Sequence, residues 1–353
     1  MNIEIHSMDL SRMAKVLAGF ADKRSQKNSN VEIIHEDNLL KMRATNSIQH
    51  CEMNTPLLGG NGEKVCVDAQ MLASVAGNQG SRMVTIEAEG NVCIVKGNGR
   101  TRMTAVNVDL PKPGAVEGSV VAVGVEDLKR AIDNVAYAVC TNEQRIELTG
   151  IHLKSDGTEL VLTALDGFQL SREIIPCIGA EVEGIAPVNI LKTICAAAGG
   201  DKVQLQIGPG RMKAFADGVT IIGTLVAGAW PDVERIIPKK FGCEAKFKAA
   251  EMLDAIRAST VVDSKQMAIR FSVAEDVIHM SAQGEAADFD AEVPCEMNGE
   301  PVEIAFASNY LQNMLKAIGS EEAVMRFSSA VGPAIMSGKG SDGMRLTLPV
   351  RIR

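Results

Sequence analysis

The side chains of this chain that could do chemistry are two carboxylates in turns, eight cysteines and five histidines. Asp166 lies in an Asp-Gly dipeptide and Asp232 in a Pro-Asp dipeptide, so either could act as a general base in a small-molecule enzyme. Both dipeptides are also ordinary turn formers, which place a carboxylate by local backbone geometry alone. The sequence contains no G-x-S-x-G motif and no other paired nucleophile and base, so it does not predict an enzyme.

The cysteines form no C-x-x-C pair, and most of them lie within apolar runs. This placement is typical of buried, reduced thiols in a cytosolic protein. The histidines show neither an H-E-x-x-H motif nor a Cys/His spacing, so the sequence predicts no zinc and no other cofactor. The Gly-rich loop at 58–63 precedes Lys64 but lacks the G-x-x-x-x-G-K-[ST] order, which argues against a phosphate-binding loop.

Composition indicates a globular protein of two or three domains, because the chain has 353 residues and an ordinary hydrophobic content of 46%. No apolar run approaches the roughly 18 residues needed to cross a bilayer, and the N-terminus lacks the pattern of a secretory signal. We therefore expect a cytoplasmic protein. A net charge of −8 argues against binding nucleic acid through bulk charge, although a locally basic surface remains compatible with it.

The elements that must position these residues occur in three similar copies. Each copy has a helix, a strand pair, a second helix that runs into a glycine, and further strands. The first helices begin alike at 7–10, 125–128 and 250–253, and the second helices contain Leu72, Leu191 and Leu311. The copies recur about 119 residues apart. We therefore predict an α+β chain of three tandem modules, with boundaries at 1–118, 119–240 and 241–353.

Hydrophobic periodicity predicts helices over 7–21, 68–76, 125–138, 188–198, 249–258 and 308–318. Alternation predicts strands that include 31–42, 47–58, 144–154, 159–165 and 344–353. Asp166-Gly167 between apolar runs predicts a tight hairpin, because glycine adopts a positive φ readily. Pro349 in the last strand indicates an edge or an exposed end. An exposed apolar C-terminus beside this hairpin predicts a binding groove.

The chain resembles the bacterial replicative DNA polymerase processivity factors, the β sliding clamps, over its full length. The resemblance lies in ALDGFQL at 164–170, PDVERIIP at 231–238 and LPVRI at 348–352, together with the threefold repeat. The family patterns are close to A-T-D-G-H-R-L, F-P-D-Y-x-R-V/I-L/I-P and M-P-M-R-L. The resemblance implies three clamp modules per protomer and a head-to-tail homodimeric ring. Such a ring encircles duplex DNA and tethers the replicative polymerase.

The resemblance also implies one pocket per protomer for short peptides of the Gln-Leu-x-Leu-Phe kind, carried by polymerases, the clamp loader and repair proteins. Its residues here would be Leu148, Leu165, Gly167, Phe168, Gln169, Leu170, Pro231, Arg235, Ile236, Tyr310, Val331, Pro333, Leu348, Pro349, Val350 and Arg351. Leu165, Phe168 and Gln169 stand where the family often has Thr, His and Arg. We therefore expect the preferred peptide to differ from the common one.

The DNA would be held by a diffuse basic lining on the helices, which needs no contact with base edges. The basic positions near the predicted helices are Arg12, Lys15, Lys23, Arg24, Lys129, Arg130, Lys192, Arg257 and Lys316. By the resemblance, the closest DNA neighbours would be Lys23, Arg24, Asn142 and Gln266, and the protomer interface would include Met103, Thr260 and Val261. Asn189 stands where the family often has a basic residue.

Three hypotheses follow from these patterns. The first is a non-enzymatic clamp that encircles DNA, and the full-length resemblance favours it. The second is a three-module peptide-binding scaffold that does not encircle DNA. The third is a small-molecule enzyme that uses Asp166 or Asp232, and only the turn carboxylates support it.

Overall fold

The computed structural model describes residues 1–62, 64–262, 268–284 and 286–351. These residues divide into two compact units. Unit 1 comprises Met1–Leu128, Cys177–Val182 and Asn189–Leu225. Unit 2 comprises Lys129–Pro176, Glu183–Val188 and the described part of Val226–Arg353. The three predicted modules, 1–118, 119–240 and 241–353, remain a prediction.

The first part of the chain contains two helices and nine strands within the described residues. In chain order these elements are β1 (Asn2–His6), α1 (Ser7–Ala18), β2 (Asn30–Glu36), β3 (Leu39–Thr45), β4 (His50–Pro56), β5 (Gly59–Asn61), β6 (Lys64–Asp68), α2 (Ala69–Gly77), β7 (Met83–Glu89), β8 (Val92–Lys96) and β9 (Arg100–Val106).

The middle part of the chain contains two further helices, eight strands and three short 3-10 helices. The helices and strands are β10 (Ser119–Gly124), α3 (Val125–Val135), β11 (Ile151–Ser155), β12 (Glu159–Leu165), β13 (Gln169–Gly179), β14 (Val182–Ala186), α4 (Val188–Ala197), β15 (Lys202–Gly208), β16 (Arg211–Ala216) and β17 (Val219–Thr224). The 3-10 helices are Ala136–Ala138, Glu143–Leu148 and Val233–Arg235.

The last part of the chain repeats the same alternation, and its described residues form two helices and nine strands. These elements are β18 (Cys243–Lys248), α5 (Ala249–Ser259), β19 (Ala268–Ala274), β20 (Val277–Gln283), β21 (Asp288–Pro294), β22 (Glu296–Gly299), β23 (Val302–Ala307), α6 (Ser308–Lys316), β24 (Glu322–Phe327), β25 (Ala334–Gly338) and β26 (Met344–Thr347).

In unit 1, helices α1 and α2 pack against each other, and α1 also contacts β3 and β4. Leu10, Met13 and Leu17 of α1 are fully buried at helical spacing, as expected for one apolar face. The strands pair antiparallel in the order β9, β6, β2, β3, β4, β17, β16, β15, β10. A second series runs from β5 through β1, β7 and β8 to β9.

Unit 2 has two antiparallel sheets. One has the order β21, β20, β19, β23, and the other has the order β22, β18, β24, β25, β26, β13, β12, β11. Helices α5 and α6 pack together over a core that contains Phe271, Phe306 and Phe327. The rings of Phe271 and Phe306 meet edge to face with centroids 5.9 Å apart, a favourable aromatic geometry.

All six predicted helices are present, with ends shifted by at most a few residues. Helix α1 ends at Ala18 rather than at residue 21, because Gly19 is a poor helix former and tightens the last turn. Helix α2 begins after Asp68, whose side chain accepts a hydrogen bond from the backbone N–H of Met71. The predicted Asp-Gly hairpin between β12 and β13 is also confirmed.

One predicted strand, 31–42, is wrong, because the chain turns back within it. Asp37 and Asn38 have φ values of 50° and 62°, in the left-handed region that these two residue types tolerate. They form the two-residue turn of a hairpin, and β2 pairs with β3 across it.

Two other predicted strands need correction. The segment 144–154 begins as a 3-10 helix, because Asn142 caps it by accepting a hydrogen bond from the Gln144 N–H. The terminal strand ends at Thr347, so Pro349 lies beyond it. Strand β26 pairs with β13 on one side and β25 on the other, so it is not an edge strand. Of the two meanings that Pro349 allowed, the exposed end fits, because Leu348 and Arg351 are exposed.

We expect Asp68→Ala to lower the free energy of unfolding by about 1 kcal/mol, because the first turn of α2 loses its cap. Urea denaturation followed by circular dichroism measures the change. Asp68→Asn is the control, since its side-chain oxygen can still accept the Met71 N–H bond. Equal stability of the alanine and asparagine variants would contradict a capping role.

Candidate functional site

One carboxylate holds the loop that joins β12 to β13. Asp166 Oδ1 accepts hydrogen bonds from the backbone N–H groups of Phe168 and Gln169 at 2.8 and 2.9 Å. Its Oδ2 accepts a bond from the Gln169 side-chain Nε2 at 2.9 Å. Gly167 has a φ of +100°, which glycine adopts without strain. Both carboxylate oxygens are thus engaged within the loop, which gives Asp166 a structural use rather than that of a general base.

An apolar cluster packs beside this loop. Leu165 and Leu170 face each other across the hairpin, and Leu148 is fully buried in the same cluster. The other buried members are Cys140, Val233, Ile335 and Leu346. The structure therefore brings together three predicted pocket residues, Leu148, Leu165 and Leu170. They pack with Val233 of the connection at 230–240 and with Ile335 and Leu346 of strands β25 and β26.

Two aromatic rings project at the edge of the cluster. Phe168 is 60% exposed, although it is large and apolar. Its ring lies nearly parallel to that of Tyr310 from α6, with centroids 6.4 Å apart and an interplanar angle of 19°. Burial and the nearby Asp166 charge raise the pKa of the Tyr310 phenol above its ordinary value. An exposed aromatic pair of this kind can cover an apolar side chain of a ligand.

The end of the chain lies against the same loop. Residues Gln169 and Leu170 pair with Thr347 and Leu346 in the sheet. Beyond β26, the backbone N–H of Leu348 donates to the carbonyl of Phe168 at 2.9 Å.

The next hydrogen bond fixes the final described residues. The Val350 N–H donates to the carbonyl of Ala305 at 2.8 Å. Leu348 and Arg351 are exposed, whereas Pro349 and Val350 are half-buried. The segment 348–351 therefore forms a wall that presents both apolar and cationic side chains.

The connection at 230–240 contributes the residues predicted from the Pro-bounded motif. Pro231, Arg235 and Ile236 are exposed, while Val233 between them is buried in the apolar cluster. Arg235 donates from Nε to Asp232 at 2.8 Å, so this second turn carboxylate is also engaged locally. The buried valine anchors the connection and leaves the flanking side chains free to meet a ligand.

Two side-chain contacts fasten the same connection to the sheet. Trp230 stacks on His152 with ring centroids 4.8 Å apart and an interplanar angle of 4°. Arg172 donates to Glu234 at 2.6 Å. Burial lowers the pKa of His152, and its hydrogen bond to Glu183 partly opposes this effect.

The remaining predicted pocket residues precede β25. Val331 is 85% exposed, and Pro333 is half-buried with its carbonyl accepting a bond from Ser328 Oγ at 2.7 Å. Neither residue is among the described members of the apolar cluster beside the Asp166 loop. All sixteen predicted pocket residues nevertheless belong to unit 2.

Sequence reasoning missed two residues at the loop. A Cβ added to Gly167 would lie 2.7 Å from Nη1 of Arg145, so this guanidinium rests directly over the glycine. Ile146 beside it is 53% exposed. Both residues lie in the segment 144–154, which the alternation predicts as a strand, so they were not considered for the loop. The isoleucine within the polar run E-Q-R-I-E was a signal that could have found them.

Several basic residues of the helices lack the ion pairs that are common on the strands, although Arg257 of α5 pairs with Asp254 at 3.3 Å. On the strands, cations are commonly paired with carboxylates, as in Lys246–Glu296 at 3.0 Å and Arg270–Glu303 at 2.8 Å. Six cations on or next to helices are exposed and form no ion pair within the part of the chain that the structure describes: Lys15, Lys23, Arg24, Lys129, Lys192 and Lys316. Unneutralised cations of this kind suit a polyanionic partner.

Three of these cations share one surface in unit 1. Lys15, Lys23 and Arg24 line an open cleft of about 790 Å³ that follows the end of α1. Of the other predicted DNA neighbours, Asn142 is exposed but its side-chain oxygen caps the 3-10 helix. Gln266 lies outside the described residues.

The predicted protomer interface combines residues of different exposure. Met103 is buried on the inner side of β9, opposite Cys93. Val261 is 84% exposed just after α5, and Thr260 caps that helix with its hydroxyl donating to the Arg257 carbonyl at 2.7 Å. Only Val261 therefore presents a large free apolar side chain.

The cysteines and the possible metal ligands are the remaining residues that could do chemistry. All eight cysteines are buried, and burial raises the pKa of the Cys93 and Cys295 thiols to about 11. The described residues contain no group of three or more His, Cys, Asp or Glu side chains that could hold a metal ion. Among the same residues, no helix is long and apolar enough to cross a membrane.

Comparisons with known proteins give a consistent result. The family model for the DNA polymerase III beta subunit, central domain, matches residues 122–232, and that for the C-terminal domain matches residues 234–351. The Beta sliding clamp of Caulobacter vibrioides (strain NA1000 / CB15N) is 29% identical over 252 residues. That match covers 66% of this chain and 66% of the relative, just under two thirds of the relative's length.

Solved structures share the fold over the whole chain. A sliding clamp of Pseudomonas aeruginosa, DNA polymerase III subunit beta bound to griselimycin, has a TM-score of 0.94 at 22% identity, with 100% of both chains covered. The beta subunit of DNA polymerase III from Thermotoga maritima has a TM-score of 0.93 at 17% identity, again with 100% of both chains covered. At these identities the likeness establishes the fold alone, and the predicted α+β class is confirmed.

We expect Asp166→Ala to lower the free energy of unfolding by about 1 to 2 kcal/mol, because three hydrogen bonds that shape the loop are lost. Asp166→Asn retains an oxygen that can accept both backbone bonds, so its loss should be clearly smaller. Urea denaturation of both variants measures the difference. An alanine variant as stable as the parent would show that the loop needs no such support.

Proposed function

The chain belongs to the beta sliding clamp family of DNA polymerase III subunits, and we propose on that premise that it encircles duplex DNA and tethers the replicative polymerase. The family consists of non-enzymatic processivity factors, so the protein supports synthesis by binding alone. It acts in the cytoplasm, where the bacterial chromosome is copied. The observation that carries the proposal is the pairing of the 165–170 hairpin with the terminal segment, which creates an apolar, partly exposed surface.

The ring consists of two protomers joined head to tail, each with three modules at 1–118, 119–240 and 241–353. Met103, Thr260 and Val261 lie at the junction between protomers. The unpaired helix cations support this arrangement, because a positive lining holds the phosphate backbone without reading bases. Lys23, Arg24, Asn142 and Gln266 are the nearest neighbours of the duplex. A diffuse electrostatic grip of this kind permits sliding.

Partner proteins dock through short peptides at the surface of unit 2. Leu148, Leu165 and Leu170 supply the apolar cluster that receives aliphatic or aromatic peptide side chains. The aromatic pair and the terminal wall border this cluster, and the exposed guanidinium groups of Arg235 and Arg351 orient the peptide. The polymerase, the clamp loader and repair proteins compete for this surface.

The remaining members of the docking surface complete its border. They are Gly167, Phe168, Gln169, Pro231, Ile236, Tyr310, Val331, Pro333, Leu348, Pro349 and Val350. Because Phe168 and Gln169 replace the family's common His and Arg, the border is less cationic at the hairpin.

We expect Leu165→Asp to abolish binding of a Gln-Leu-x-Leu-Phe peptide while the dimer persists, because a carboxylate would enter the apolar cluster. Fluorescence anisotropy of a labelled peptide measures binding, and light scattering measures the mass. Ile178→Asp is the matched control, since it also places a charge at an apolar position but lies in unit 1 on an exposed strand end. A Leu165→Asp protein that binds with parental affinity would refute the site.

Charge reversal at Arg24, Lys129 and Lys192 should shorten retention on nicked circular DNA by about tenfold or more, because several phosphate contacts are lost per protomer. A control that reverses Lys154, Lys239 and Lys240, which lie away from the helices, has the same net charge and should be retained normally. Retention is measured by gel filtration at low salt.

Two outcomes would instead favour the peptide-binding scaffold that does not encircle DNA. One is equal DNA retention by the helix variant and its control. The other is a solution mass that stays at 37.6 kDa at every concentration, since a single protomer has too few modules to close a ring.

A further inference from the structure

A charged pair is buried in unit 2 next to the docking surface. Arg345 of β26 is 2% exposed and Glu173 of β13 is 6% exposed, and they form an ion pair. Arg345 also donates to the backbone carbonyls of Ala317 at 2.6 Å and Arg172 at 3.2 Å. Asn134 of α3 donates to the Glu173 carboxylate at 3.1 Å. Residues from α3, from β13 and just after α6 thus converge on this one ion pair.

Such a pair needs a reason other than stability. Taking two charges out of water costs free energy that their mutual attraction offsets only when the geometry is good, and apolar residues of the same volume often stabilise a fold as well. The best-attested use of a buried polar group is to select one alignment of two elements over others. The pair serves this purpose in β26 if the other residues of the strand allow more than one register.

The apolar residues of β26 do not select a unique register. Met344, Leu346 and Leu348 alternate along the chain, so they would occupy one face of an extended strand. A slip of two residues along β13 in one direction would put Leu346, Leu348 and Val350 at the positions of Met344, Leu346 and Leu348, so every apolar position would stay apolar. A slip in the other direction would place a polar residue, Asp342, only at the position of Met344. Either slip would move Arg345 away from Glu173 and put Thr347 or Gly343 in its place. Arg345 is therefore the residue that distinguishes the observed register from its apolar equivalents.

The register of β26 determines the shape of the docking surface. In the observed alignment, the N–H of Leu348 meets the Phe168 carbonyl and the N–H of Val350 meets the Ala305 carbonyl. A slipped strand would break both bonds and move the terminal wall away from the hairpin. We propose that Glu173 and Arg345 are positioning residues that fix the register of β26 and thereby shape the partner-peptide pocket; the peptide part of this proposal rests on the proposed function.

The test removes the pair while keeping apolar volume, in the full-length protein. In Glu173→Leu/Arg345→Met, we expect the amides of Leu348 and Val350 to exchange hydrogen about tenfold faster or more, while those of β19 and β20 keep their protection. We expect the affinity for a labelled Gln-Leu-x-Leu-Phe peptide to fall by about tenfold, since one wall of the pocket is lost. Met325→Leu in β24 is the matched control and should change neither quantity, because it alters a buried apolar side chain of unit 2 outside the docking surface and keeps the pair.

Unchanged exchange at Leu348 and Val350 in the double variant would overturn the proposal. If that variant does not fold, Arg345→Lys decides by the same exchange measurement, because lysine keeps the charge but cannot reach Glu173 and both carbonyls together. Parental exchange rates in the lysine variant would then refute the positioning role. If the protein without substitutions does not bind the peptide, the proposed pocket is refuted instead. The exchange rates of Leu348 and Val350 would still test whether the pair fixes the register of β26.

Discussion

Main-chain pairing between residues 169–172 and 344–347 is the interaction on which the candidate site depends. It joins two segments about 170 residues apart, so the candidate site can form only after the long loop between them has closed. The entropic cost of closing so long a loop grows slowly with its length, and the ladder and the apolar cluster offset it. The hairpin supplies one side of the surface and the terminal segment supplies the other.

Much of this architecture follows from sequence patterns. The helices were predictable because each has one apolar face, and α2, α4 and α6 also end at or near a glycine. The Asp-Gly hairpin was predictable because glycine favours its backbone conformation. The hairpin at Asp37–Asn38 was missed because two polar residues interrupt the apolar alternation only briefly. The central position of β26 was missed because strand order depends on long-range pairing, which no local pattern records.

The candidate site was predictable only in part, because some of its contacts also depend on long-range pairing. The apolar members of the pocket could be named from motifs, but the position of Arg145 over Gly167 depends on a 3-10 turn that local alternation disguised. The ion pair of Glu173 and Arg345 could not be foreseen either, since charged residues in a strand are usually exposed. Its partners come from separate elements, and only the folded sheet brings them together.

The stack of Trp230 on His152 gives the protein an intrinsic optical probe. Trp230 is the only tryptophan in the chain, and it stands immediately before Pro231 in the connection at 230–240. Because burial lowers the pKa of His152, the ring beneath the indole is uncharged at neutral pH and quenches less than an imidazolium ion. Tryptophan emission therefore reports on one defined place, so movement of the 230–240 connection can be followed in the unlabelled protein.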